Sequence, residues 1–217
     1  MKIDFISDIA CPWCAIGLNS LERALEKTAG EFKVELHFHP FELNPDMQPD
    51  GADTSDYLRN KYGMSSEQVT QSRLDLRARG AALGFQFGTV TRIWNTFDAH
   101  RLLYWAGLQS PQAQRKLKHL FLDAYHGAGR NPGEPALMQE LALQAGLDGA
   151  AAQAVIDSDQ YGSEVRAEEQ YWQKAGIRSV PSIILNGKHL ITGGQTPDVF
   201  ERILREVGAD QHADPAS

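Results

Sequence analysis

Cys11 and Cys14 are the residues of this chain whose type and spacing most directly indicate chemistry. They are its only cysteines among 217 residues, which excludes a framework of structural disulfides. Two thiols three positions apart can open and close a disulfide, or they can supply two ligands to a metal ion. The spacing therefore indicates a redox pair or half of a zinc site, with two unreactive thiols as a third interpretation.

The residues around the pair predict that Cys11 stands at the start of a helix. Lys2–Ser7 has the pattern of a short strand, and Pro12 suits a first helical turn, where its missing N–H is not needed. Unpaired N–H groups and the helix dipole stabilise a thiolate at this place, so we expect Cys11 to ionise readily and act as nucleophile. Cys14, one turn later, would resolve the mixed disulfide. Trp13 adds an apolar surface and, with Pro12, is a candidate substrate contact.

A zinc site would need two further ligands, for which His37 and His39 are the candidates. Both belong to the solvent-facing side of a predicted strand, Phe32–His39. Structural zinc sites rarely hold Pro-Trp between their cysteines at a strand-to-helix turn. Redox-active thiols are therefore the favoured interpretation, and we expect no metal.

The elements that must position the pair begin with a strand, a helix and a second strand within the first forty residues. Because the two strands, Lys2–Ser7 and Phe32–His39, are joined through a helix, they should be parallel. From residue 54 to residue 176 strand signals give way to helical ones. Two short strands then follow, Ser182–Leu185 and His189–Thr192, joined by a tight Asn-Gly turn.

This order predicts an α/β, thioredoxin-like fold with an inserted all-helical domain. A last helix should start at Pro197 and end at Gly208, and Gly193-Gly194 should permit the turn before it or a close approach to the first helix. The predicted parts are a thioredoxin-like domain of residues 1–53 and 177–208, a helical insertion of residues 54–176 and a flexible tail of residues 209–217.

Val180-Pro181 stands directly before the strand Ser182–Leu185. On position alone, a proline that opens a strand is ordinary and its peptide bond is usually trans. In thioredoxin-like folds, however, a cis-proline lies beside the dithiol and exposes the preceding backbone to a bound peptide. With the cysteine pair upstream, we expect this bond to be cis and both residues to contact substrate.

Five segments together resemble the DsbA-like thiol–disulfide oxidoreductases of the FrnE type: SDIACPWCAIG, HPFELNPDM, NTFDAHRLLYWA, SVPSIILNGK and ITGGQ. These oxidoreductases are similar to 2-hydroxychromene-2-carboxylate isomerases and to kappa-class glutathione transferases. The resemblance covers residues 1–208 and implies a thioredoxin fold with an inserted helical domain. It also implies that Cys11 is the nucleophile, Cys14 the resolving thiol and Pro181 the cis-proline.

Two departures from these families bear on the chemistry. The isomerases and transferases commonly carry serine where this chain has Cys11. The cysteine therefore favours the oxidoreductases over these two families. DsbA itself has histidine at the position of Trp13 and glutamate at that of Phe5, so neither its oxidising power nor its buried proton acceptor is expected here. Asp8 is a candidate proton acceptor, although an acid that fixes the loop is the favoured interpretation.

The segment NTFDAHR contains two further candidates for the substrate-binding site. Asn95 would cap a helix or line the substrate cleft, and His100 would be a hydrogen-bonding residue or lie near the thiols. Phe41 and Trp94 are predicted to belong to the core rather than to the cleft.

Charge and hydropathy exclude several classes of partner. The net charge is −7, from 21 basic and 28 acidic residues, and no basic block is present, so nucleic acid is not an expected partner. No apolar run approaches the about 18 residues that span a membrane. The first residues lack the apolar segment of a secretory leader, and we therefore expect a cytoplasmic location.

The favoured function is that of a thiol–disulfide oxidoreductase or isomerase acting on a protein or a small molecule. No tightly bound cofactor is expected, and glutathione is a candidate redox partner or co-substrate. Two alternatives stay open: a glutathione-dependent isomerase or transferase with a small aromatic substrate, and a non-enzymatic, chaperone-like binding module. None of these patterns determines the oligomeric state.

Overall fold

The computed structural model describes residues 1–213, in which a mixed four-stranded sheet has the order β2-β1-β5-β6. As predicted, β1 is parallel to β2, and β5 is antiparallel to both β1 and β6. The second strand begins later than predicted, where Glu35 lies opposite Lys2. The strands are β1 Lys2–Ser7, β2 Glu35–Pro40, β5 Ser182–Leu185 and β6 His189–Thr192.

Helices make up most of the rest of the described chain, and seven of them lie between β2 and β5, where the helical insertion was predicted. A π-helical turn, Asp123–Gly127, continues α5. The helices are α1 Pro12–Lys27, α2 Thr54–Tyr62, α3 Ser66–Ala82, α4 Phe97–Gln109, α5 Pro111–Leu122, α6 Pro135–Ala145, α7 Gly149–Ile156, α8 Gly162–Lys174 and α9 Pro197–Ala213. None of those in residues 1–213 is long and apolar enough to cross a membrane.

Two large apolar cores hold the sheet and the helices together. The sheet core includes Phe5, Leu18 and Phe200, and joins β1, α1 and α9. The helical core is built mainly from α4 to α7, but it also contains Ile9 and Ala10 from the loop that leads to Cys11. The loop before the cysteines is therefore fixed by the insertion as well as by the sheet.

A short ribbon inside the insertion was not predicted. Its strands are β3 Ala52–Asp53 and β4 Arg92–Ile93, which pair antiparallel. Two residues per strand are too few for the alternation that marks a strand in sequence. The ribbon connects the start of α2 to the segment before α4.

The last helix is longer than predicted, and the predicted end at Gly208 is wrong. Helix α9 continues through this residue to Ala213, so residues 209–213 are helical. A Cβ atom on Gly208 would lie 3.0 Å from the ring of Phe32, so the glycine permits close packing instead of ending the helix. The prediction for residues 214–217 lies outside the described residues.

Candidate active site

Cys11 and Cys14 lie where β1 leads into α1. Cys11 is the N-cap residue, with extended backbone, and Pro12 is the first helical residue, as predicted. Both thiols are free. Cys11 is 5% exposed and Cys14 is fully buried, so Cys11 is the thiol that a ligand can reach and Cys14 lies behind it.

The cis-proline loop lies directly against this helix start. The peptide bond between Val180 and Pro181 is cis, which confirms the prediction. The Cys11 thiol donates a hydrogen bond to the Val180 carbonyl oxygen, with a sulfur–oxygen distance of 3.4 Å. A Cβ atom on Gly17 of α1 would lie 2.9 Å from Cγ of Pro181, so only glycine allows the loop to approach this closely.

Gly193 and Gly194 serve the two purposes predicted for them, one each. Gly193 has a φ of +78°, which makes the turn after β6. A Cβ atom on Gly194 would lie 3.0 Å from the carbonyl oxygen of Trp13. The second glycine therefore allows close packing against the first turn of α1.

The environment of Cys14 opposes its ionisation. Burial raises the pKa of Cys14 well above its ordinary value, and the hydrogen bond and charge of Cys11 raise it further. The positive charge of Lys118, a fully buried residue of α5, acts in the other direction. Sequence reasoning missed Lys118, since a lysine on an amphipathic helix is ordinarily solvent-exposed.

Asp8 holds the loop before the cysteines together. Its carboxylate accepts hydrogen bonds from the amides of Ala10 and Leu43 at 3.0 and 2.7 Å, and from the Thr96 hydroxyl at 2.8 Å. The Nε2 atom of His100 lies 3.4 Å from the same carboxylate. Burial alone would raise the pKa of Asp8, but these partners, His100 first, hold it below its ordinary value. This geometry supports the loop-fixing interpretation and makes Asp8 a weak proton acceptor.

The other sequence candidates lie around the site rather than in it. The Asn95 side chain accepts a hydrogen bond from the Phe97 amide at 2.8 Å and donates one to the Met47 carbonyl at 3.0 Å, so it fixes the start of α4. Phe41 is buried in the apolar cluster that surrounds both thiols. Trp94 packs against the helical core and is partly buried.

A cavity of about 720 Å³ opens beside Cys11, between the first turn of α1, the cis-proline loop and helices α2 and α3. Pro12, Trp13 and Val180 also line it. Three arginines contribute positive charge, and the rest of the wall is largely apolar. The arginines are Arg73, Arg77 and Arg178, and the apolar and aromatic side chains include Tyr57, Leu58, Tyr62, Val69, Leu76 and Phe87.

His39, a ligand in the zinc interpretation, is engaged elsewhere. Its Nε2 atom lies 2.8 Å from the Asp4 carboxylate, and its Nδ1 atom pairs with Glu168. In the part of the chain that the structure describes, no three histidine, cysteine or acidic side chains are arranged to hold a metal ion. The zinc interpretation therefore has no ligand set in residues 1–213.

Comparisons with known proteins agree with this fold. A family model for the DSBA-like thioredoxin domain matches residues 2–205. A probable DsbA oxidoreductase from Streptomyces coelicolor is 32% identical, with a TM-score of 0.89 over 100% of this chain and 92% of that one.

Two more distant structures share the fold at 17% identity. One is 2-hydroxychromene-2-carboxylate isomerase, with a TM-score of 0.71 over 100% of both chains. The other is the cytosolic disulfide reductase DsbM from Pseudomonas aeruginosa, solved with GSH, with a TM-score of 0.63 over 95% of this chain and 98% of that one. The resemblance inferred from the sequence segments and the thioredoxin-like fold are both confirmed. The chain belongs to the family of DSBA-like thioredoxin domains.

Proposed function

We propose that this chain is a thiol–disulfide oxidoreductase in which Cys11 attacks the substrate and Cys14 resolves the intermediate. The observation that carries the proposal is the position of Cys11 at the start of α1, beside a cavity and hydrogen-bonded to the Val180 carbonyl. Cys14 is one turn behind it and buried, where a substrate cannot reach it first.

In the reductive direction, the Cys11 thiolate attacks one sulfur of a substrate disulfide, and the other sulfur leaves as a thiolate. Cys14 then attacks the Cys11 sulfur, so the Cys11–Cys14 disulfide forms and the second substrate thiol is released. Glutathione or a protein dithiol would return the pair to its reduced form. The reverse sequence would oxidise a substrate dithiol.

The cavity favours a compact disulfide over a long polypeptide segment. Its volume of about 720 Å³ lies in the range of small-molecule sites, about 300–1,000 Å³. We propose contacts from Pro12, Trp13 and the Val180 backbone, and assign the arginines to an anionic group of the substrate. No tightly bound cofactor is needed for these steps, and we place the activity in the cytoplasm, where glutathione is the abundant thiol.

Mixed-disulfide trapping tests the proposal. Cys14→Ser leaves Cys11 without its resolving partner, so incubation with glutathione disulfide should add one glutathione per chain. Cys11→Ser should add none under the same conditions, because Cys14 is buried. Intact-mass spectrometry measures both, and equal modification of the two variants would contradict the assigned roles.

A glutathione-dependent isomerase or transferase is the second candidate, and the largely apolar cavity of small-molecule size beside Cys11 favours it. A serine can replace the nucleophile in that chemistry, so Cys11→Ser would keep glutathione binding and turnover of a small aromatic substrate. An oxidoreductase would lose disulfide reduction in the same variant. A chaperone-like module would suppress aggregation equally well with both cysteines replaced.

A further inference from the structure

We propose that Lys118 is a positioning residue for Cys14, whose buried positive charge stabilises the Cys14 thiolate while it closes the disulfide with Cys11. The inference rests on the proposed function, because it assigns a group to the second step of that reaction. It concerns the step that the burial of Cys14 makes difficult.

Lys118 is buried, which is unusual for a lysine. Its side chain is 1% exposed, whereas Lys116 on the same helix is exposed. Within the described part of the chain, Lys118 forms no salt bridge, although a buried ammonium is costly without an opposite charge. The charges that favour its ammonium form are those of Cys14, Asp8 and Cys11, and the Cys14 thiolate is the one that the second step of the reaction must form.

The helix that carries Lys118 and the π-helical turn after it are joined at two points to the segment that carries the thiols. His119 lies 2.9 Å from the Glu22 carboxylate, and the His126 ring donates to the Ile9 carbonyl at 2.7 Å. Helix α5 and the π-helical turn therefore run antiparallel to α1 and the loop before it. The first turn of α1 lies between these two contacts.

The packing on the buried face of α5 also places this helix near the segment that carries the thiols. Phe121 and Leu122 are three and four positions after Lys118, and so share its helix face. Phe121 belongs to the core cluster of Ile9 and Ala10, while Leu122 belongs to the sheet core that includes α1. This face of α5 thus contributes both to the core that contains the loop before Cys11 and to the core that contains α1.

The charges of Cys14 and Lys118 depend on each other. Burial raises the pKa of Cys14 and lowers that of Lys118, and the charge of each opposes the shift in the other. The charges of Asp8 and Cys11 also favour the ammonium form of Lys118. His126, on the same side, has its pKa lowered to about 4 by burial, so it is neutral near pH 7.

The step itself balances without a further reactant. After Cys11 has formed a mixed disulfide, the Cys14 thiol loses its proton to solvent and the thiolate attacks the Cys11 sulfur. The Cys11–Cys14 bond forms as the bond from Cys11 to the substrate sulfur breaks, and the electron pair leaves with that sulfur as a thiolate. Lys118 lowers the free energy of the buried thiolate that this step requires.

The two steps can be measured separately with dithiobis(nitrobenzoate), an aromatic disulfide whose thiolate is coloured. Attack by Cys11 releases one thiolate in a phase whose rate depends on reagent concentration. Attack by Cys14 releases the second in a phase that does not. The variants are Lys118→Met, which keeps length but removes the charge, Lys118→Arg, which keeps the charge, and the exposed control Lys116→Met.

In Lys118→Met, the second phase should slow about tenfold near pH 7 and its pH midpoint should rise, because the buried thiolate loses a stabilising positive charge. The first phase and the thermal unfolding midpoint should change far less, because Cys11 attack and folding do not require the charge. Lys118→Arg should recover most of the second-phase rate. Lys116→Met should match the wild type.

Three outcomes would overturn the inference. A second phase with unchanged rate and pH midpoint in Lys118→Met would show that the charge does not act on Cys14, while leaving the proposed function intact. Equal slowing in the methionine and arginine variants would show that packing, not charge, matters. A wild type that releases no second thiolate would remove the step and contradict the proposed function as well.

Discussion

At the residue scale, the difference between the two cysteines comes from their surroundings. Cys11 caps a helix and reaches a cavity, whereas Cys14 is enclosed and its pKa is raised by burial. Asp8 helps to position both cysteines, because its hydrogen bonds fix the loop that leads into α1. Its carboxylate has donors on both oxygens, so it stabilises the loop instead of moving protons.

Asp8→Asn should destabilise the protein by about 1–3 kcal/mol near pH 7, because an amide N–H₂ would face a buried backbone N–H donor. The pKa of Asp8 is lowered in the fold, so its contribution is present above the unfolded pKa and is lost as pH falls through the folded one. Urea unfolding should therefore show a difference in the free energy of unfolding between variant and wild type, and this difference should become smaller toward acid pH. Asp46→Asn, at an exposed position, is the control, and a variant as stable as the wild type near pH 7 would contradict this role.

Residues whose chemistry depends on type and spacing could be predicted from the sequence. Cys11, Cys14 and Pro181 belong to this group, because a dithiol and a proline before a strand are visible along the chain. Lys118 does not, since its burial depends on how α5 packs in the tertiary structure. His100 was predicted as a candidate, but its contact with the Asp8 carboxylate follows only from the tertiary structure.

At the element scale, the site depends on the close approach of the cis-proline loop to α1. Gly17 makes this approach possible, and Gly194 allows the turn after β6 to pack against the same helix. A capping box opens α3, with Ser65 and Gln68 bonded reciprocally. Local signals of this kind are visible along the chain, as are the prolines that start α1 and α9. The two-residue ribbon and the passage of α9 through Gly208, in contrast, depend on packing with distant segments.

Gly17→Ala tests this packing, because two effects of opposite sign compete in it. Alanine should stabilise a helix interior by about 1 kcal/mol relative to glycine. Its Cβ atom, however, would lie 2.9 Å from the Pro181 ring, and such overpacking costs about 1–3 kcal/mol. We expect the clash to win, with lower stability and slower mixed-disulfide formation at Cys11.

Gly162→Ala at the start of α8 is the matched control, since its Cβ atom would make an ordinary contact at 3.6 Å. Urea unfolding and the rate of glutathione addition measure the two effects. A Gly17→Ala variant that is more stable than the wild type and reacts equally fast would show that the loop does not depend on this approach.

At the scale of the whole molecule, the helical insertion completes a site that the sheet alone would leave open. Helices α2 and α3 form the far wall of the cavity, and the helical core holds the loop that contains Ile9. The sequence predicted the insertion and the fold, because element order is visible along the chain. It did not predict the cavity, which exists only where the two parts meet.

The reduction potential of the Cys11–Cys14 pair tests the central claim most directly. Trp13 supplies no positive charge beside the thiolate, so we predict one two-electron transition at about −200 to −230 mV, the range of glutaredoxins and below DsbA at about −120 mV. Equilibration in glutathione buffers followed by thiol trapping measures it. Two thiols that never form a disulfide would contradict the redox function, and a potential above about −150 mV would show that another group stabilises the thiolate.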